Sequence, residues 1–214
     1  HEDFTGQFGK FWANYRHMGW YQNNVKKQRQ TARQYGFGKV SELKKFIART
    51  IRDYVANGGF LFAMCSATDT YDIALAAEGV DICKNMYDGD PMDPNAQQKL
   101  DFSKTFAFKD FEISQNPYEY EYSTIDVSLT RKVPRDNDYF TLFEFSAKWD
   151  PVPTILCQNH TAVIDGFMGQ TTAYNMDYIK SDVLIMGANK AANEARYIHG
   201  EFGEGTWTFY GGHD

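Results

Sequence analysis

Apolar positions in residues 41–57 recur at spacings of three and four: Leu43, Phe46, Ile47, Ile51, Tyr54 and Val55. That period puts them on one face, so the spacing predicts an amphipathic helix. Ser41 suits the N-cap and Glu42 the first turn, where the helix dipole favours a carboxylate. Asn57-Gly58-Gly59 ends it, because glycine accepts the left-handed backbone of a helix stop. Five consecutive apolar residues, 60–64, follow. An unbroken run of that kind predicts a parallel strand buried on both faces. At Cys65 the pattern turns small and polar before Ile73, Leu75 and Ala76, which predicts a sharp turn into another helix. Residues 20–34 predict a further helix, with Lys26, Lys27, Arg29 and Arg33 on a solvated basic face. Helix, glycine turn, strand, turn and helix in that order predict an α/β fold with a mostly parallel sheet.

Beyond residue 77 the pattern shortens. Gly79 and residues 80–83 predict a turn into another strand, and residues 84–102 are irregular. Asp88, Asp90 and Asp93 make an acidic turn that lacks the ligand spacing and terminal Glu of a calcium loop. Residues 118–129 alternate with period two, which predicts a half-exposed antiparallel strand; on it Glu119 and Glu121 would share a face. Residues 139–145 predict another strand. The tyrosines of this block are either a solvent-facing β surface or a platform for sugar rings. Residues 149–153 predict a linker and 154–157 a short strand, and Asn159-His160-Thr161 is a glycosylation triplet in a secreted chain. Residues 183–186 are a second buried run. Residues 196–210 predict a β-hairpin turning at Gly203-Glu204-Gly205, after which Gly211-Gly212 carry His213 off the strand end.

The chain of 214 residues is long enough for one substantial core. It divides into an elbow-bearing core (20–83), a β-rich insertion or lid (84–180) and a C-terminal strand and hairpin (181–214). A net charge of −6 argues against a nucleic-acid partner. No apolar run approaches the length of a membrane span. Three cysteines, Cys65, Cys83 and Cys157, make no disulfide framework and leave the compartment open. Residues 1–19 read as loop, with His1, Glu2 and Asp3 solvated at the terminus. The absence of an initiating Met suggests a portion of a longer protein. Its remainder, or a partner chain, is expected to cover the open edge that strand 60–64 would otherwise expose.

Candidate chemistry centres on Cys65. A nucleophile on a strained strand-to-helix turn needs small residues two before and two after it. Ala63 and Ala67 meet that condition for Cys65, whereas Met64 breaks it for Ser66. A helix N-terminus favours thiolate, and the Ser66 N–H would point at an oxyanion. A free cysteine is also, commonly, a small buried hydrophobe; the turn pattern is what favours a nucleophile.

Ala63-Met64-Cys65-Ser66-Ala67 resembles the elbow of the class I glutamine amidotransferase-like superfamily. Residues 202–213 are similar to the hairpin that delivers its histidine, above all in the trehalose-utilisation (ThuA-like) branch. The likeness spans residues 39–83 and 181–214. It implies a flavodoxin-like three-layer sandwich with a mostly parallel sheet, whose first strands residues 1–40 do not supply, so the chain would be the C-terminal portion of a longer protein. It also implies Cys65 as nucleophile and His213 as general base, with Asp214 in the place of an orienting acid. The expected activity is a Cys–His hydrolase or amidotransferase-like reaction on an amide or ester carbonyl of a small molecule, through an acyl-cysteine. The alternative is a catalytically inactive ThuA-like binding or structural subunit, related to carbohydrate. Neither reading calls for a cofactor or a metal.

Overall fold

The computed structural model describes residues 3–143 and 162–212. Its helices come early, where the apolar period is helical. A short turn of helix α1 (Trp12–Tyr15) precedes α2 (Gly19–Gln34) and α3 (Val40–Ala56). The start of α3 lies one residue before the expected cap: the Glu42 carboxylate accepts the backbone N–H of Lys39 at 3.2 Å, so Lys39 takes the N-cap place and Ser41 lies inside the helix. Strand β1 (Phe60–Met64) follows the glycine pair, and α4 (Ser66–Ala76) follows Cys65. Every residue of α4 is buried, Thr68, Asp69, Thr70 and Asp72 included.

After Ala76 the connections change, and with them the architecture. Adjacent parallel strands need a crossover of about a dozen residues or more, usually a helix, whereas antiparallel strands need only a turn. Among the described residues the one helix after α4 is the single turn α5 (Asn85–Asp88). The later strands are β2 (Tyr139–Leu142), β3 (Val163–Asp165), β4 (Tyr174–Asn175), β5 (Leu184–Asn189), β6 (Glu194–Phe202) and β7 (Gly205–Tyr210). They form one sheet in the order β1-β7-β6-β5-β2-β3, with β4 also on β6. Only β1 and β7 are parallel; every other pairing of strands is antiparallel. The sheet is strongly curled into a half-barrel. The expected flavodoxin-like, mostly parallel three-layer sandwich is therefore wrong. The hairpin of residues 196–210 does form, closed by Gly203 at φ +62°.

Two strand expectations fail for local reasons. Residues 118–129 make only isolated bridges. Three of their backbone N–H groups go instead to nearby side chains: Tyr118 N–H to Asn116, Ile125 N–H to Ser123 and Ser128 N–H to Asp126. Such local bonds compete with a ladder. Glu121 is buried, while Glu119 is held by Ser114 and Asn116, so the two carboxylates act apart. Residues 80–83 form no strand. The expected linker 149–153, strand 154–157 and glycosylation triplet lie outside the described residues.

The core is aromatic. Trp207 and Phe209 of β7 pack with Tyr71 of α4, Phe106 and Phe108. Asp72 pins this loop to α4 by accepting the N–H groups of Phe106, Ala107 and Phe108 at 2.8, 2.7 and 2.9 Å. On the later strands, Arg196 is fully buried between Asp138 and Glu194, and Arg131 lies 3.6 Å from the same Asp138. Strand β1 is less buried than a two-sided parallel strand: Ala63 alone is buried, because β1 ends the sheet. Among the described residues no helix is long and apolar enough to cross a membrane.

Candidate active site at the Cys65 elbow

The parallel register of β1 and β7 sets Met64 beside Tyr210, and the Cys65 N–H donates to the Tyr210 carbonyl at 3.1 Å. Chain direction must then change at once to start α4. Cys65 absorbs the turn at φ 54° and ψ −138°, a region that non-glycine residues rarely occupy and that costs about 1–3 kcal/mol. Its carbonyl accepts the Thr68 N–H at 3.0 Å and the Thr68 hydroxyl at 2.6 Å, which fix the first turn of α4.

The thiol lies on a cavity of about 480 Å³. Ser66 and Asp3 supply polar lining, and Phe11, Tyr120, Tyr122 and Phe167 supply most of the apolar wall. Asp3 is not the solvated terminal residue expected: it is half-buried, and its carboxylate accepts the Thr5 N–H and hydroxyl and the Gly9 N–H. The thiol donates to the Gln170 carbonyl at 3.2 Å. Burial pushes the Cys65 thiol up, against the lowering effect of the Ser66 N–H. Burial thus acts against the thiolate that the helix N-terminus favours.

Beneath the thiol lies a pair of buried carboxylates that the sequence pattern did not single out. Asp69, one turn along α4, accepts the Thr171 hydroxyl at 3.1 Å, and Asp126 accepts the Thr171 N–H at 2.7 Å. Asp69 Oδ2 has no partner. Burial and the neighbouring Asp126 hold the Asp69 carboxyl well above the usual range, and burial holds Asp126 at about 6. Thr171 itself sits at φ 53°. This loop, which brings the Gln170 carbonyl onto the thiol, is thus tied down by both acids. Arg131 adds a third tie, donating to Thr172 at 3.1 Å. The one available signal was composition: Thr68, Asp69, Thr70 and Asp72 stand in a helix too poor in large apolar residues to have a separate polar face.

Cys65 and Ser66 both line the cavity. His213 and Asp214 lie outside the described residues, as does His160. Gly212 ends the described chain two residues past Tyr210, the residue that holds the Cys65 N–H. Gly211 donates to the Arg196 carbonyl at 2.7 Å and passes so close to the Thr172 carbonyl that a Cβ would lie 2.6 Å from it. His199 is buried on β6 against the Thr208 hydroxyl and does not line the cavity.

No family model, curated protein or solved structure matches the chain.

One further cluster has metal-ligand types. Single ligand atoms of Asp81, Cys83 and Asp88 lie within 4.8 Å of one another. The Lys39 ammonium already occupies the cation's place, 2.6 Å from both Asp81 and Asp90 and 3.6 Å from Asp88. Cys83 is buried, donates to the Thr5 carbonyl, and is pushed up by burial. The acidic turn is thus a partner for Lys39.

Proposed function

We propose that the chain carries a cysteine-nucleophile acyl-transfer site, acting on an amide or ester carbonyl of a small molecule. The observation that supports this most is the backbone of Cys65: a strained, non-glycine elbow that presents a thiol to a cavity of ligand size. In this reading the thiol gives its proton to a base while sulfur bonds the carbonyl carbon. The Ser66 N–H stabilises the oxyanion. The C–N or C–O bond then breaks, the leaving group takes the proton from the base, and water cleaves the acyl-cysteine to restore the thiol. The base is His213, oriented by Asp214, as the likeness to the class I glutamine amidotransferase-like superfamily implies for those positions.

A second reading, a non-catalytic binding or structural protein, draws support from the burial of the Cys65 thiol against the Gln170 carbonyl. One experiment separates the two. Incubation with p-nitrophenyl acetate should release nitrophenol in a burst and leave an acetyl group on Cys65 by mass spectrometry. Cys65→Ser should show no thioester. Absence of any acyl adduct on Cys65 in the parent chain selects the second reading.

The partner reading rests on β1. Among the described residues its only strand partner is β7, so alternate backbone groups at Phe60, Phe62 and Met64 face outward. A further strand, from elsewhere in the same protein or from another chain, completes this edge. Amide exchange at those three positions should slow when that strand is present, and unchanged exchange would argue against it.

A further inference from the structure

A second concavity, of about 500 Å³, lies on the other side of the turn that leads into α1. Phe8 and Trp12 line this groove, whereas Gly9 and Phe11 line the Cys65 cavity. Its floor is apolar: Phe8, Tyr21 and Tyr87 are buried there. Its rim is cationic. Lys26, Arg29 and Arg33 fall at helical spacing along one stripe of α2, and Arg16 joins them from the end of α1. No carboxylate lines the groove, and among the described residues none of these four cations makes an ion pair. Two are already oriented. The Arg16 guanidinium lies over the Trp12 ring at 4.5 Å, and Arg29 donates to the Tyr87 carbonyl at 3.0 Å.

This concentration of charge is unusual for the chain that bears it. With a net charge of −6, carboxylates are plentiful, yet none lines the groove; Asp88 lines an adjoining cavity with Arg29 and Arg33 and pairs with Lys39. Like charges three and four residues apart on a helix repel. The four cations are exposed, and they rim a concavity whose apolar lining is largely aromatic. An anion bound there would relieve the repulsion, and arginine offers paired donors to its oxygens. The floor favours a flat ring over a flexible chain, since aromatic faces contact ring systems and guanidinium groups well.

We propose that this groove binds an aromatic anion, a planar ring system bearing a phosphate or carboxylate, with the ring on the Phe8–Trp12–Tyr87 floor and the anionic group held by Arg29, Arg33 and Lys26. The site is separate from Cys65 and does not depend on its chemistry.

Calorimetric titration of the full chain with naphthyl phosphate, naphthol and inorganic phosphate tests this. Naphthyl phosphate should saturate with one molecule per chain, and naphthol and phosphate should each bind at least about tenfold more weakly. Raising sodium chloride from about 50 to about 500 mM should weaken the phosphate ester and leave naphthol unaffected. Lys26→Glu with Arg33→Glu, both on the exposed rim, should cost at least about tenfold in affinity with an unchanged melting temperature. Lys109→Glu with Lys132→Glu makes the same change in net charge away from the groove and should leave binding intact. Failure of naphthyl phosphate to saturate by about 5 mM, or equal losses in the two double variants, would overturn the assignment.

Discussion

Asp126 provides a quantitative test of how the loop over Cys65 is held. Its carboxylate is buried, accepts Ser128 and Thr171, and titrates at about 6. In the unfolded chain an aspartate titrates near 3.9. The folded state therefore binds a proton more tightly than the unfolded state does. Stability from this group is absent well above pH 6 and grows as pH falls through the folded pKa, levelling off below about 3.9. Integrating between those two values, acidification from pH 7 to pH 5 adds on the order of 1 kcal/mol. Asp126→Asn keeps the shape but cannot titrate. The destabilisation it causes should thus be larger at pH 5 than at pH 7 by on the order of 1 kcal/mol. Urea unfolding of both chains at pH 5, 6 and 7 measures the difference. Subtraction removes groups that do not sense Asp126, such as His199, whose burial lowers its pKa and acts with the opposite sign, whereas Asp69, raised partly by Asp126, changes with it. A difference independent of pH would mean an ordinary Asp126. A difference that shrinks on acidification would mean a carboxylate favoured by its hydrogen bonds, and the account of a strained acid pair with Asp69 would be wrong.

Two further outcomes follow from buried geometry. Asp138→Ala leaves the buried guanidinium of Arg196 short of its main partner and removes the acid that, among the described residues, pairs with Arg131; urea unfolding should show a loss of about 3–5 kcal/mol, and a loss under about 1 kcal/mol would refute the buried network. Cys65→Gly should be more stable than Cys65→Ala by about 1–3 kcal/mol, because glycine alone relaxes the φ of 54°; equal melting of the two would remove the strain from the elbow.

Local pattern carried the first third of the chain. Helices α2 and α3, strand β1 and the turn at Cys65 were all legible, because each is set by period and by glycine placement over a few residues. The hairpin β6–β7 was legible for the same reason. Strand direction was not: β1 looks like a parallel core strand and is parallel, but only to β7, and nothing local to residues 60–64 says that the sheet ends there. The alternation at residues 118–129 was misleading, since Asn116, Ser123 and Asp126 claim the backbone donors a ladder would need. Asp126 meets Asp69 only through the fold, across a loop from a third segment, so no spacing could announce the pair. The thiolate expectation rested on the helix N-terminus alone, whereas burial of the sulfur at 7% exposure pushes its pKa up.

The central claim is that Cys65 is a nucleophile served by His213. The pH profile of Cys65 alkylation by iodoacetamide, followed by peptide mass spectrometry in the full chain and in His213→Ala, tests it most directly. With the imidazole present the midpoint should lie below that of a free thiol, and in the variant it should rise above it, as the buried sulfur alone requires. Identical profiles in the two chains, or a Cys65 that reacts no faster than buried Cys83, would contradict it.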